Sequence, residues 1–114
     1  MAGVDFEIKT YEIKMAREMN ATSGETPVKI AAYIICVGDE FRVTIYALHD
    51  TSAFPDNSVN LSNKSGTILC PRWQFEWFRD LLRNEKPVFC TLRNDMPKWN
   101  SLWTGKEPVG ELEV

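Results

Sequence analysis

Residues 71–83 (PRWQFEWFRDLLR) are the one stretch of this chain whose apolar side chains recur at helical spacing. On a helical wheel Trp73, Phe75, Trp77, Phe78, Leu81 and Leu82 span an arc of roughly 200°, and Arg72, Glu76, Arg79, Asp80 and Arg83 fill the opposite arc. A helix resting on a single sheet needs an apolar stripe only somewhat wider than about 100°. The excess predicts cover on two sides: a sheet on one, and on the other either the chain's own long loop or a second subunit. The sheet is expected to take Phe78, Leu81 and Leu82, leaving Trp73 and Trp77 to the second cover. Pro71 suits the first helical turn, where a missing N–H costs nothing. Asn84 followed by Pro87 is a stop signal.

Everything around this segment reads as strand or loop. In residues 4–16 the alternation of Phe6, Ile8 and Thr10 passes to Tyr11, Ile13 and Met15, a phase change that a bulge between Thr10 and Tyr11 would produce. A short helix over 11–19 competes locally, since those residues have good helical propensity; strand to about Met15 is the preferred reading. Residues 20–27 have a loop composition. Residues 28–48 form the clearest local unit, a hairpin. Its first arm is apolar on both faces, as a central strand is, and its second alternates. A two-residue turn at Gly38-Asp39 pairs Cys36 with Phe41, Ile34 with Val43 and Ala32 with Ile45. A turn at Asp39-Glu40 slips that register by two and keeps the same faces; the preference for Gly at the first central position of a type II′ turn selects Gly38-Asp39. The candidate sheet face under the helix is Ile30, Ala32, Ile34, Cys36, Val43 and Ile45.

Residues 49–65 are polar and patternless, long for a loop in a compact domain. Residues 66–70 read as a strand feeding the helix and residues 87–92 as another strand. Residues 98–103 read equally as an edge strand or a short irregular helix. The order strand, strand, strand, loop, strand, helix, strand predicts an α+β domain: a mostly antiparallel sheet of about five strands with one amphipathic helix packed on it. The domain is assigned to residues 1–103 and an extended or disordered acidic tail to 104–114. The connection through the helix is compatible with one parallel strand pair or with a return to the far edge of the sheet.

At 114 residues the chain is one domain, with 44% hydrophobic and 25% charged residues as in ordinary globular proteins. It holds no apolar run near the roughly 20 residues that span a bilayer, and its first residues lack the layout of a secretion signal. The expected location is therefore the cytoplasm, without membrane association. Three Asn-x-Ser/Thr matches, at Asn20, Asn60 and Asn63, are read as coincidences in polar loops. Cys36, Cys70 and Cys90 are odd in number and contain no CxxC pair, so a zinc site is disfavoured and buried, reduced thiols are expected. Net charge is −3, but unevenly spread: residues 1–60 hold five Lys/Arg against nine Asp/Glu and residues 61–114 eight against seven. That balance supplies no overall drive toward nucleic acid, though a local basic patch in the second half is compatible with it.

Searching for chemistry returns little. His49 is the only histidine, and no nucleophile elbow surrounds any candidate partner. Asp39-Glu40 sits at a hairpin tip, with nothing to bury it or shift its protonation. No phosphate-binding glycine motif is present. No catalytic residue, metal ligand or cofactor is assigned, and the chain is read as non-enzymatic. What remains is a recognition surface in the second half, where aromatics interleave with cations: Arg72, Trp73, Trp77, Arg79, Arg93, Lys98, Trp99 and Trp103. Trp and Arg are the side chains enriched in protein–protein hot spots, so the leading expectation is a protein partner or a homodimer. Aromatic platforms beside cations also hold single-stranded nucleic acid, and Trp99 and Trp103 with Lys98, Arg93 and Lys106 are the candidates for that second reading.

Overall fold

The computed structural model describes residues 2–50 and 52–106. Among them the order is β1 (Gly3–Glu7), β2 (Thr10–Ser23), β3 (Thr26–Val37), β4 (Arg42–Leu48), β5 (Val59–Asn60), β6 (Ser65–Pro71), α1 (Arg72–Asn84), β7 (Val88–Arg93), a 3₁₀ turn (Pro97–Trp99) and β8 (Ser101–Thr104). The class is α+β with one helix, and the strands divide into two sheets. A five-stranded sheet has the order β2-β3-β4-β6-β5, and a three-stranded sheet has the order β1-β7-β8. The single sheet expected from the sequence is instead divided: the strands expected over residues 28–37, 41–48 and 66–70 fall in the large sheet, that over 87–92 in the small one, and the first predicted strand is shared between them. From residue 107 onward the predicted acidic tail lies outside the described residues, and Thr104 itself belongs to β8.

The phase change near Thr10 marks where the chain leaves one sheet for the other. β1 pairs with β7, Ile8 and Lys9 carry the chain across, and β2 then pairs with β3. Buried Ile8 fills the seam, so the parity switch reflects two strands rather than one bulged strand. β2 continues to Ser23 and turns at Gly24-Glu25 into β3. The helical reading of 11–19 is thereby overturned, because pairing along β3 satisfies a backbone that local propensity alone would coil. A long hairpin likewise replaces the loop predicted over residues 20–27.

The register expected from a Gly38-Asp39 turn is overturned, and β3 and β4 adopt the alternative: Cys36 faces Val43, Ile34 faces Ile45 and Val37 faces Arg42. The turn is therefore at Asp39-Glu40. Gly38 is explained by packing instead of turn chemistry, since a Cβ there would stand 2.6 Å from the Glu7 carbonyl oxygen and 2.8 Å from the Phe6 ring. The same crowding stacks Phe6 on Phe41, with ring centroids 5.8 Å apart.

One extra residue, Ala31, interrupts the ladder between the Ile30–Leu48 and Ala32–Ala47 pairs. A bulge of this kind exchanges faces along a strand. Val28 and Ile30 consequently pack with Leu48, Met19, Tyr33, Tyr46 and Leu69 on the far side of the sheet. Ile30 thus leaves the face assigned to it from simple alternation. The near face is Ala32, Ile34, Cys36, Val43, Ile45, Ala47, Ile68 and Cys70, and it forms one core with Phe75 and Leu82 of α1 and Val88, Cys90 and Leu92 of β7. Helix and small sheet therefore lie side by side over one face of the large sheet. The two sheets approach closely at Gly66, where a Cβ would meet a Leu92 methyl at 2.7 Å.

Two connections differ from expectation. The parallel pair is β4 with β6, joined by the long polar segment and not by the helix, which instead delivers the chain to the second sheet. The polar segment itself is built into the fold. It contains β5, paired antiparallel with β6, and is held by Asn57, which accepts from the Leu69 N–H at 2.7 Å and donates to the Pro97 carbonyl at 2.9 Å. Buried Asn100 finishes the join, accepting from the Arg93 N–H at 2.8 Å and donating to the carbonyls of Thr67 at 2.9 Å and Ser58 at 3.3 Å.

Candidate functional site

α1 starts directly after Pro71, whose extended backbone makes it the cap residue rather than a member of the first turn. The buried side of the helix carries Phe75 and Leu82, with Phe78 and Leu81 partly covered against the same core. Phe75 takes a central place that the sequence reading gave to its neighbours. Trp73 and Trp77 fall on the opposite side, 61% and 65% exposed. Neither the long loop nor any other described segment covers them. One helical turn apart, they meet edge to face with centroids 5.1 Å apart and an interplanar angle of 75°. Offset or edge contacts of this kind are the favoured aromatic geometry, and here they hold a large apolar surface in water. Asp80 follows three positions after Trp77 and is also exposed.

The cations named with them are on the other flank and are engaged. Arg72 donates to Asp50 at 3.1 Å, which fastens the start of the long loop to the first turn of the helix. Arg79 pairs with Glu76 one turn earlier.

The C-terminal group separates into two places. Trp99, on the 3₁₀ turn, is 67% exposed, and Lys98 beside it faces Asp56 at 3.6 Å. Trp103 lies on the outer face of the small sheet, stacked on its cross-strand partner Phe89 with centroids 4.7 Å apart. Its indole N–H donates to the Thr91 hydroxyl at 2.9 Å, and that hydroxyl donates to Asp5 at 2.7 Å. Trp103 is thus a fixed sheet residue more than a free platform. Arg93 forks onto Asp95 with bonds of 3.1 and 2.8 Å. The hydrogen bonds and charge of Arg93 hold the Asp95 carboxyl below the usual range. Arg72, Arg79, Arg93 and Lys98 are therefore matched to carboxylates, whereas Lys106 is exposed and has no ion-pair partner among the described residues. Such exposed pairs contribute little to stability, but they cancel the local positive field that phosphate binding requires.

Phe54 and Met96 are exposed as well, and as isolated apolar residues in loops they carry no periodic signal to mark them out. Tyr11 and Met15, which alternate with Ile13 in the sequence, are also exposed.

The remaining reactive groups are committed to structure. His49 Nε2 donates to the Arg17 carbonyl at 3.0 Å, pinning the irregular stretch of β2 between Met15 and Met19. Cys36, Cys70 and Cys90 are buried and unpaired. Burial pushes the Cys36 and Cys70 thiols up to about 12 and raises that of Cys90 as well, Cys36 and Asp5 adding to the effect there. An open depression of about 510 Å³ lies between the end of α1 and the β1–β2 junction. It is lined by Glu7, Lys9, Arg83, Glu85 and Lys86 among others and holds neither His nor Cys. No cluster of three or more His, Cys, Asp or Glu suited to a metal ion occurs among the described residues. No helix among them is long and apolar enough to cross a membrane.

Comparison with protein-family models, with curated proteins and with solved structures returns no match for this chain.

Proposed function

We propose that this chain is a non-enzymatic binding module that captures a protein partner through Trp73 and Trp77. The observation that carries the reading is the exposed, mutually braced tryptophan pair on the solvent side of α1. Leaving two indoles in water is unfavourable by the usual hydrophobic measure. Paired aromatics that need no rearrangement to be buried lose little side-chain freedom on docking. Exposed Asp80 near them, with a net charge of −3 on the chain, favours a partner whose apolar pocket has a basic rim. Three free thiols fit a reducing compartment such as the cytoplasm.

Single-stranded nucleic acid is the weaker reading, because Arg72, Arg79, Arg93 and Lys98 already face carboxylates. The two separate cleanly by titration. Tryptophan emission is expected to stay unchanged when a mixed oligonucleotide is added at low salt. A partner recovered by crosslinking should lose at least tenfold in affinity for Trp73→Ala or Trp77→Ala and little for Trp103→Ala. Salt-sensitive quenching by the oligonucleotide, with the partner indifferent to both helix substitutions, would overturn the proposal.

A further inference from the structure

We infer that the edge strand β2 pairs with the β2 of a second copy of this chain. Among the described residues β2 ends the five-stranded sheet, with β3 as its one neighbour. Of its 14 residues only Ile13, Met19 and Ser23 are partly covered. A row of unpaired N–H and C=O groups on such an edge is a template for another strand. Natural edges are commonly blunted by bulges, and here the irregular stretch between Met15 and Met19, pinned by His49, blunts the middle of the strand. The arm before it, residues 10–15, pairs with β3 without interruption and remains a regular edge.

That arm is self-complementary in one register. Tyr11, Ile13 and Met15 lie opposite Cys36, Ile34 and Ala32, on the helix side of the sheet, and Tyr11 and Met15 are 38% and 65% exposed. Glu12 and Lys14 point to the other side. An antiparallel pair about a two-fold axis at Ile13 sets Ile13 against its own copy. It also sets Tyr11 against Met15 twice and Glu12 against Lys14 twice, so that apolar meets apolar and each charge meets its opposite. Axes at Glu12 or at Lys14 would instead place like charges directly across, which is destabilising. Among the described residues neither Glu12 nor Lys14 has an ion-pair partner within the chain. A C2 contact of this isologous kind closes on itself and stops at two, joining the two large sheets into one of ten strands. α1 begins from β6, three strands away from β2, and Trp73 and Trp77 lie in its first half, so the dimer leaves both tryptophan pairs free and, on the function proposed above, makes the module bivalent.

The test is sedimentation equilibrium of the full chain over a range of concentrations. A monomer–dimer equilibrium is expected. Glu12→Lys and Lys14→Glu should each weaken the dimer by about tenfold or more, and the double exchange should restore it. Backbone amides in residues 11–15 should gain protection from hydrogen exchange as concentration rises. A chain that stays monomeric throughout overturns the inference, as does a dimer that ignores both charge exchanges. A dimer lost in Trp73→Ala and Trp77→Ala but kept in both charge exchanges overturns it too, and would move self-association to α1.

Discussion

Trp73 and Trp77 stand edge to face, 5.1 Å between centroids, on the solvent side of a helix whose other side buries Phe75 and Leu82. Four aromatic residues within six positions are thus divided between packing and presentation, with Phe75 and Phe78 turned inward.

The division predicts opposite mutational behaviour. Phe75→Ala should cost about 3–5 kcal/mol, as large-to-small changes in cores do. Trp73→Ala or Trp77→Ala should cost no more than about 1 kcal/mol, the scale of one aromatic pair. Urea unfolding monitored by far-ultraviolet circular dichroism distinguishes them. Tryptophan variants as unstable as Phe75→Ala would show that the indoles serve the fold.

Asn100 joins the small sheet to β6 and to the loop before β5 through three side-chain hydrogen bonds. Asn100→Ala leaves the partly buried Arg93 N–H and two carbonyls without these partners, and the expected loss is roughly 1–3 kcal/mol. Faster hydrogen exchange at the Arg93 amide should accompany it. An unchanged amide would mean that this join contributes nothing.

Gly38 and Gly66 are both close-approach positions, and they should not respond equally. Gly38→Ala meets the Glu7 carbonyl, which is backbone, at 2.6 Å, whereas Gly66→Ala meets Leu92 methyls at 2.7 and 3.0 Å. A leucine can change rotamer and a strand carbonyl cannot, so Gly38→Ala should lower stability the more, by about 1–3 kcal/mol or beyond. Equal thermal shifts for the two variants would contradict this ordering.

Burial of the thiols sets an alkaline limit. A thiol whose folded pKa lies above its unfolded one favours the folded state fully below the unfolded value, and that contribution is lost as pH rises past it. For Cys36 and Cys70 the window runs from 9.0 to about 12. Stability should therefore fall through that range, and the decline should shrink in Cys36→Ala and in Cys70→Ala. At pH 8 the folded chain should react with a thiol reagent far more slowly than the unfolded chain. Equally rapid labelling of both would show that the thiols are accessible.

The helix over 72–84, the β3–β4 hairpin and the buried thiols are readable from residues alone, because each rests on local periodicity or on a residue's own transfer preference. Its solvent face, by contrast, is not. Trp73 and Leu82 are both apolar positions on one wheel, and only the placement of α1 over β4 and β6 turns one outward and the other in. Likewise the cations near the tryptophans look available in the sequence, yet Asp50 and Asp56 reach Arg72 and Lys98 from a loop that carries no pattern of its own.

What the residues determined by themselves is therefore the helix, the strands of the β3–β4 hairpin, β6 and β7, and the existence of an apolar excess on α1. Whether one sheet or two would form, which way Ile30 would face and where the excess would go were decided only in three dimensions. The reason is the same each time. A break at Lys9, an extra residue at Ala31 and the docking angle of a helix depend on which distant strands accept hydrogen bonds and apolar area, and alternation along the chain carries no record of that choice. The helix that announces itself most clearly in the sequence thus shows its exposed tryptophan pair only once the sheet beneath it has selected Phe75 and Leu82.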